Sequence, residues 1–100
     1  MKKPTDPVVI RVWKTDPRDI FALLPAHPAD RFGRKCASYQ HLGQHGIADY
    51  DHCIRQSRPA TAEEAAELLG ELRRIGYNPR VFRRQTPALR NIRRKAAIAD

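Results

Sequence analysis

The sequence predicts one small α+β domain, in which a three- or four-stranded, mainly antiparallel sheet packs against one main helix and a basic C-terminal helix or tail follows. Three observations indicate this class. Short β-branched and aromatic runs stand near the N-terminus, a capped amphipathic helix occupies the second half, and 100 residues suffice for one hydrophobic core. We expect the domain to span residues 1–85 and the extension to span residues 86–100.

The first two strands are predicted from apolar runs joined by a short turn. Residues 8–13 read VVIRVW and lie between Pro7 and the turn-prone residues 15–17. Residues 19–24 form the second run, which Pro25 is expected to end. A short turn between two such runs favours a β-hairpin.

The patterns are weaker in the middle of the chain. Residues 25–35 have no hydrophobic period and indicate a surface loop. Residues 36–42 are predicted as a third strand, and Gly43 and Gly46 as a turn or bulge. Cys53 is expected to reach the core from a short strand.

The clearest local pattern predicts a helix over residues 61–75. Thr61 and Glu64 have the spacing of a capping box, and Gly76 can adopt the positive φ that ends a helix. One apolar stripe recurs at helical spacing, formed by Ala65, Leu68, Leu69, Leu72 and Ile75. We expect this stripe to pack on the sheet.

Residues 80–85 are predicted as the last strand, and a further helix can begin after it. Thr86 and Pro87 are typical of an N-cap and a first helical turn. Leu89 and Ile92 give this segment a narrow apolar edge. It is either a docked helix or a tail that orders on binding.

The charge of the chain favours anionic partners. Its net charge is +8 and its pI is about 10.2, with nine bases and no acid between Leu72 and Ala99. These bases are the predicted nucleic-acid-binding residues Arg73, Arg74, Arg80, Arg83, Arg84, Arg90, Arg93, Arg94 and Lys95. Tyr77 and Phe82 alone could stack on bases here, and no sequence-reading motif is present, so we expect weak, salt-sensitive binding to DNA or RNA. The alternative is a solvated cationic face that keeps a small protein soluble.

Segment 38–50 concentrates polar and titratable side chains around two glycines. Its possible functional cluster comprises Ser38, Tyr39, His41, Gln44, His45, Asp49 and Tyr50. The structural interpretation is that these groups satisfy one another around a bulge or tight turn. A second interpretation is a protein-binding surface where the Tyr39–Tyr50 loop meets Trp13.

Two chemical interpretations of the same segment remain open. An acid–base site would use His41 or His45 as base, Asp49 to orient it, and Ser38 or Cys53 as nucleophile. No nucleophile elbow or phosphate loop accompanies these residues.

A zinc site would use Cys36, His41, His45 and Cys53. The wide spacing of these four, without a Cys-x-x-Cys pair, argues against it. We therefore expect no metal and no cofactor. The two cysteines are expected to be reduced thiols in the cytoplasm, because no secretory segment or membrane span is recognisable.

Three parts of the chain carry a resemblance, namely residues 10–25, 36–50 and 58–61. The most specific part is the run Ser-Tyr-x-His-x-Gly-Gln-His-Gly-x-x-Asp-Tyr over residues 38–50. Over about residues 8–82 the chain resembles a family of small uncharacterised bacterial proteins common on plasmids and other mobile elements. This resemblance implies a bacterial cytoplasmic protein and transfers no catalytic role.

Three functions follow in order of preference. The first is a non-enzymatic module that contacts nucleic acid through the arginine-rich end. The second is a protein–protein interaction module that acts through the Tyr39–Tyr50 loop. The third is a small enzyme or metal-binding protein that uses His41, His45 and Asp49.

Overall fold

A computed structural model describes residues 5–16, 18–29, 34–40 and 44–99, and places helices on both faces of one mixed sheet. The elements in chain order are β1 (Asp6–Trp13), β2 (Ile20–Pro28), β3 (Lys35–Gln40), β4 (Gln44–Asp49), α1 (Tyr50–Arg55), β5 (Ser57–Pro59), α2 (Ala62–Arg74), β6 (Pro79–Val81) and α3 (Pro87–Ala99). The α+β class with an open, mainly antiparallel sheet is confirmed. Among the described helices, none has the length and apolar character needed to cross a membrane.

The sheet has the strand order β4-β3-β2-β1-β5, and all of these neighbours are antiparallel. The predicted hairpin of β1 and β2 is present, with Val9 opposite Leu23. On its other side β1 pairs with two short strands: β5 lies along its C-terminal half, and β6 runs parallel to its N-terminal half. Strands β5 and β6 therefore share one edge of the sheet, whereas β4 forms the opposite edge.

Alternation along β1 separates two hydrophobic clusters, one on each face of the sheet. Val8 and Val12 belong to the cluster that α2 covers with Leu68 and Leu72. Val9 belongs to the other cluster, where the helices contribute Tyr50, Cys53 and Leu89. Because the strands are buried on both sides, they read as continuous apolar runs rather than as alternating ones.

Helix α2 begins and ends where its capping residues predict. Thr61 accepts a hydrogen bond from the Glu64 backbone N–H at 3.1 Å, and the Glu64 carboxylate accepts one from the Thr61 N–H at 3.0 Å. At the other end Gly76 has a φ of 112°, a conformation that favours glycine. Ile75, expected in the apolar stripe, lies outside the helix and is 49% exposed.

The predictions for the middle of the chain need correction. Strand β2 continues beyond Pro25, because the pairing register with β3 shifts between Leu24 and Pro28 and such an irregularity accommodates proline. Gly46 is not a turn: it lies within β4, opposite Ser38. A Cβ atom at Gly46 would lie 3.2 Å from the Ser38 hydroxyl, so the residue permits a close approach of two strands. The third predicted strand is present as β3, and the predicted turn residue Gly43 lies outside the described residues.

Two further predictions were incomplete. Cys53 reaches the core from α1 rather than from a strand, since Asp49 accepts a hydrogen bond from the His52 N–H and starts a helix there. The last strand is shorter than the predicted residues 80–85, and it is parallel to β1. The described residues form six strands and three helices, whereas the sequence predicted three or four strands, one main helix and a basic C-terminal helix or tail.

Candidate nucleic-acid interface

Helix α3 is docked against the sheet rather than extended from it. Thr86 accepts a hydrogen bond from the Leu89 N–H at 3.2 Å, which satisfies a donor of the first turn. The Leu89 side chain is buried in the second cluster, and Ile92 is half-buried on the same side of the helix. The helix packs mainly against β2. The narrow apolar edge predicted for this segment therefore forms its contact with the sheet.

Arg93 attaches the same side of α3 to α1. Its guanidinium lies 3.8 Å from the centroid of the Tyr50 ring and 3.5 Å from the Asp51 carboxylate. The Tyr50 hydroxyl in turn donates to the Gln85 side chain at 2.7 Å, and burial raises the pKa of Tyr50. Arg93 is thus engaged within the protein, although the sequence placed it among the phosphate-binding residues.

The outward side of α3 is cationic. Arg90, Arg94 and Lys95 are exposed there, and Arg90 and Arg94 are neighbours one turn apart. Two further exposed cations, Arg83 and Arg84, precede the helix. None of these five forms an ion pair with the described part of the chain. We call these five residues the α3 cationic surface.

The remaining predicted cations lie elsewhere. Arg73 and Arg74 are exposed at the end of α2, which covers the opposite face of the sheet. Arg80 lies on β6, where its guanidinium is 4.9 Å from the centroid of the Phe82 ring. The nine predicted residues are therefore distributed over three parts of the surface.

Both aromatic rings that could have stacked on bases have partners in the protein. Phe82 packs against the second cluster beneath Arg80. The Tyr77 hydroxyl lies 3.3 Å from His45 Nε2, and its ring packs against the first cluster. The described surface around the cations consequently offers guanidinium and ammonium groups rather than free aromatic faces.

A small cleft adjoins the α3 cationic surface. Its volume is about 170 Å³, and its walls are formed by Asp51, Ile54, Gln85, Thr86, Arg90 and Arg93. Asp51 brings a negative charge into this cleft, close to Arg93. The cleft is therefore less favourable for a phosphate than the open surface outside it.

The polar residues of segment 38–50 do not form one cluster. Most of the predicted loop is a hairpin, in which Tyr39 pairs with His45 and both side chains face α2. The Tyr39 hydroxyl donates to the buried Glu71 carboxylate at 3.0 Å. Ser38 and Tyr50 lie on the other face of the sheet. His41 and the side chain of Gln44 lie outside the described residues.

This arrangement separates those residues of the acid–base hypothesis that the structure describes. Asp49 caps α1 through the His52 N–H, whereas His45 contacts Tyr77. Cys53 is buried on the opposite face, and burial raises its pKa, which disfavours the nucleophilic thiolate.

The described candidate ligands of the zinc hypothesis are also separated. Cys36 and Cys53 are free thiols on the face opposite His45, and burial raises the pKa of Cys36 to about 11. Within residues 5–16, 18–29, 34–40 and 44–99, no three potential metal ligands come together.

Sequence reasoning missed several polar residues with structural roles. Arg11 is a buried cation on β1, and Glu71 is a buried acid on α2. His27 lies 3.6 Å from the Asp6 carboxylate, near the Tyr77 ring. Glu71 lies three residues after Leu68 and therefore on the same side of α2 as the apolar stripe. This spacing was the one signal in the sequence that could have indicated the burial of Glu71.

Comparisons with protein-family models, with curated proteins and with solved structures each find no match to this chain.

Proposed function

We propose that this chain is a non-enzymatic nucleic-acid-binding module that contacts the phosphate backbone through the α3 cationic surface. The observation that carries the proposal is the exposure of Arg83, Arg84, Arg90, Arg94 and Lys95 on one helix and its leading segment. Exposed cations without internal ion pairs are available to phosphates, and each contact releases counterions from the nucleic acid.

The docking of α3 supports the same proposal. Leu89 and Arg93 fix one side of the helix to the protein, so the opposite side is held toward solvent before any ligand arrives. A guanidinium donates two parallel hydrogen bonds to a phosphate, which makes four arginines well suited to this task. The proposed binding therefore needs no large rearrangement.

The expected specificity is low. The aromatic rings nearest the cations, Tyr77 and Phe82, already have protein partners. Phosphate contacts position a protein on nucleic acid and carry no sequence information directly. We therefore expect dissociation constants of roughly 10⁻⁴ to 10⁻⁶ M at physiological salt, similar for unrelated sequences.

Charge-neutralising variants test this proposal by fluorescence anisotropy with labelled DNA and RNA oligonucleotides. Arg90→Gln/Arg94→Gln should weaken binding about tenfold at low salt because two phosphate contacts are lost. The matched control is Lys14→Gln/Arg18→Gln, which removes the same charge from exposed positions before β2. It should change binding less than about twofold.

Equal losses in the two double variants would show that net charge alone drives binding, and would overturn the α3 cationic surface as the site. Arg73 and Arg74 remain predicted phosphate contacts. The double variant Arg73→Gln/Arg74→Gln measures how much the opposite face of the sheet contributes to binding. A wild-type protein that binds neither DNA nor RNA at low salt would overturn the proposed function itself.

A further inference from the structure

We infer that β4 is a self-pairing edge, through which two copies of this chain join their sheets about a twofold axis centred on Ile47. Ile47 is 70% exposed, the largest exposure among the large hydrophobic residues that the structure describes as exposed.

The backbone groups of β4 alternate between the side that faces β3 and the side that faces away from the sheet. The Tyr50 N–H donates to the Arg34 carbonyl at 2.9 Å, and these residues continue the β3–β4 register, in which Asp49 is opposite Lys35. Even-numbered residues of β4 therefore bond to β3. In an antiparallel ladder the alternate residues point the other way, so His45, Ile47 and Asp49 direct their N–H and C=O groups outward.

The outward N–H and C=O groups of β4 determine the register of pairing with a second copy. When Ile47 of one copy is opposite Ile47 of the other, His45 is opposite Asp49, and all six outward N–H groups of the two strands find carbonyl partners. Shifting the axis by one residue loses two of these hydrogen bonds. The centred register is therefore the preferred one.

The side chains of His45, Ile47 and Asp49 all lie on the face that α2 covers. Two Ile47 side chains would meet at the centre and cover each other's exposed surface. On either side an imidazole of His45 would be opposite the carboxylate of Asp49 from the other copy. His45 Nε2 faces the Tyr77 hydroxyl and one Asp49 oxygen accepts from His52, so Nδ1 and the second oxygen are available for this contact.

The opposite edge of the sheet has features that discourage such pairing. It is divided into β5 and β6, each three residues long, and these strands contain Pro59, Arg58, Pro79 and Arg80. Short strands, prolines and exposed cations all discourage edge-to-edge pairing. Strand β4 is six residues long, and QHGIAD contains neither proline nor lysine.

Self-pairing would also affect the cationic surface, and this consequence rests on the proposed function. A twofold axis between antiparallel neighbours is perpendicular to the sheet, so both copies of α3 would lie on the same side. In the dimer, five strand spacings separate β2 of one copy from β2 of the other. The two strands are therefore about 24 Å apart. Two α3 cationic surfaces at this separation would bind one nucleic acid in a bivalent manner.

Sedimentation equilibrium without nucleic acid tests the inference independently of the proposed function. The wild type should approach twice the chain mass of 11.5 kDa as its concentration rises. Ile47→Pro removes only an outward N–H, so it should leave each subunit folded and weaken the dimer about 30-fold or more through two lost hydrogen bonds. Ile47→Lys should weaken it as well, since two ammonium groups would meet at the axis.

The matched control is Ile75→Lys, which places the same charge at an exposed isoleucine directly after α2 and should leave the dimer unchanged. Circular dichroism and urea unfolding verify that each variant is folded. A wild type that remains at 11.5 kDa at millimolar concentration overturns the inference. A dimer that survives Ile47→Pro and Ile47→Lys equally overturns it, because association would then use another surface.

Discussion

At the scale of single residues, Arg11 shows how one buried cation organises three elements. Its Nε donates to the Ser57 hydroxyl at 2.9 Å, and one terminal nitrogen donates to the Ile54 and Ser57 carbonyls at 3.0 and 2.7 Å. Burial lowers the pKa of Arg11, because the low-dielectric surroundings disfavour its charge. These hydrogen bonds compensate for the burial and connect β1 to α1 and β5.

Arg11→Met should reduce the free energy of unfolding by about 2 kcal/mol, since it leaves the buried hydroxyl and carbonyl oxygens of Ser57 without the guanidinium donors. Urea unfolding of the variant measures this loss. Arg18→Met is the control, because the Arg18 side chain is 95% exposed and its removal should change stability by less than about 0.5 kcal/mol. Equal stabilities of the two variants would contradict the role given to Arg11.

The burial of Arg11 could not be predicted from its surroundings in the sequence. An arginine inside an apolar strand usually indicates the solvent side of a sheet. Here α1 covers that position, and α1 has only six residues, too few to show a helical period. The environment of Arg11 depends on a contact between residues more than forty positions apart.

At the scale of elements, α2 was predictable because its signals are local. Its capping box joins residues three positions apart, and Arg58 adds two hydrogen bonds of 2.8 Å to the Glu64 carboxylate. These interactions lower the pKa of Glu64 from 4.5 to about 2. The hydrogen bonds from Arg58 have the largest effect, and the hydrogen bond from the Thr61 N–H has the second largest. The ionised carboxylate is thus the form that the folded state favours.

A pH-dependent contribution to stability follows from the pKa of Glu64. Because this pKa is lowered on folding, the contribution is present above about pH 4.5 and is lost as the pH falls toward 2. The urea midpoint of Glu64→Gln should therefore lie below that of the wild type at pH 7, and the difference should narrow at pH 3. Glu63→Gln, at an exposed position in the same first turn, should follow the wild type at both pH values. A difference for Glu64→Gln that stays constant with pH would contradict this account.

The elements that the sequence did not predict depend on distant partners. Strands β5 and β6 have three residues each, and both are defined by pairing with β1 rather than by their own pattern. Strand β4 contains Gly46 and the exposed Ile47, which weaken an alternating pattern. Short elements of this kind are recognised only when the strand beside them is known.

At the scale of the whole molecule, the excess of positive charge was predictable and its arrangement was not. The acid-free stretch from Leu72 to Ala99 indicated a cationic end. The fold places Arg73 and Arg74 on one side of the sheet and α3 on the other, and it uses Arg93 for an internal contact with Tyr50. The candidate site is therefore smaller than the set of nine residues, because packing decides which cations remain exposed.

The most direct test of the central claim, that the α3 cationic surface binds nucleic-acid phosphates, is the salt dependence of binding to duplex DNA. If the five cations of this surface contact five phosphates, log K should fall linearly with log salt concentration with a slope of about −4.5. In Arg90→Gln/Arg94→Gln the slope should be smaller in magnitude by about 2. A slope near zero, or one that this double variant leaves unchanged, would contradict the account.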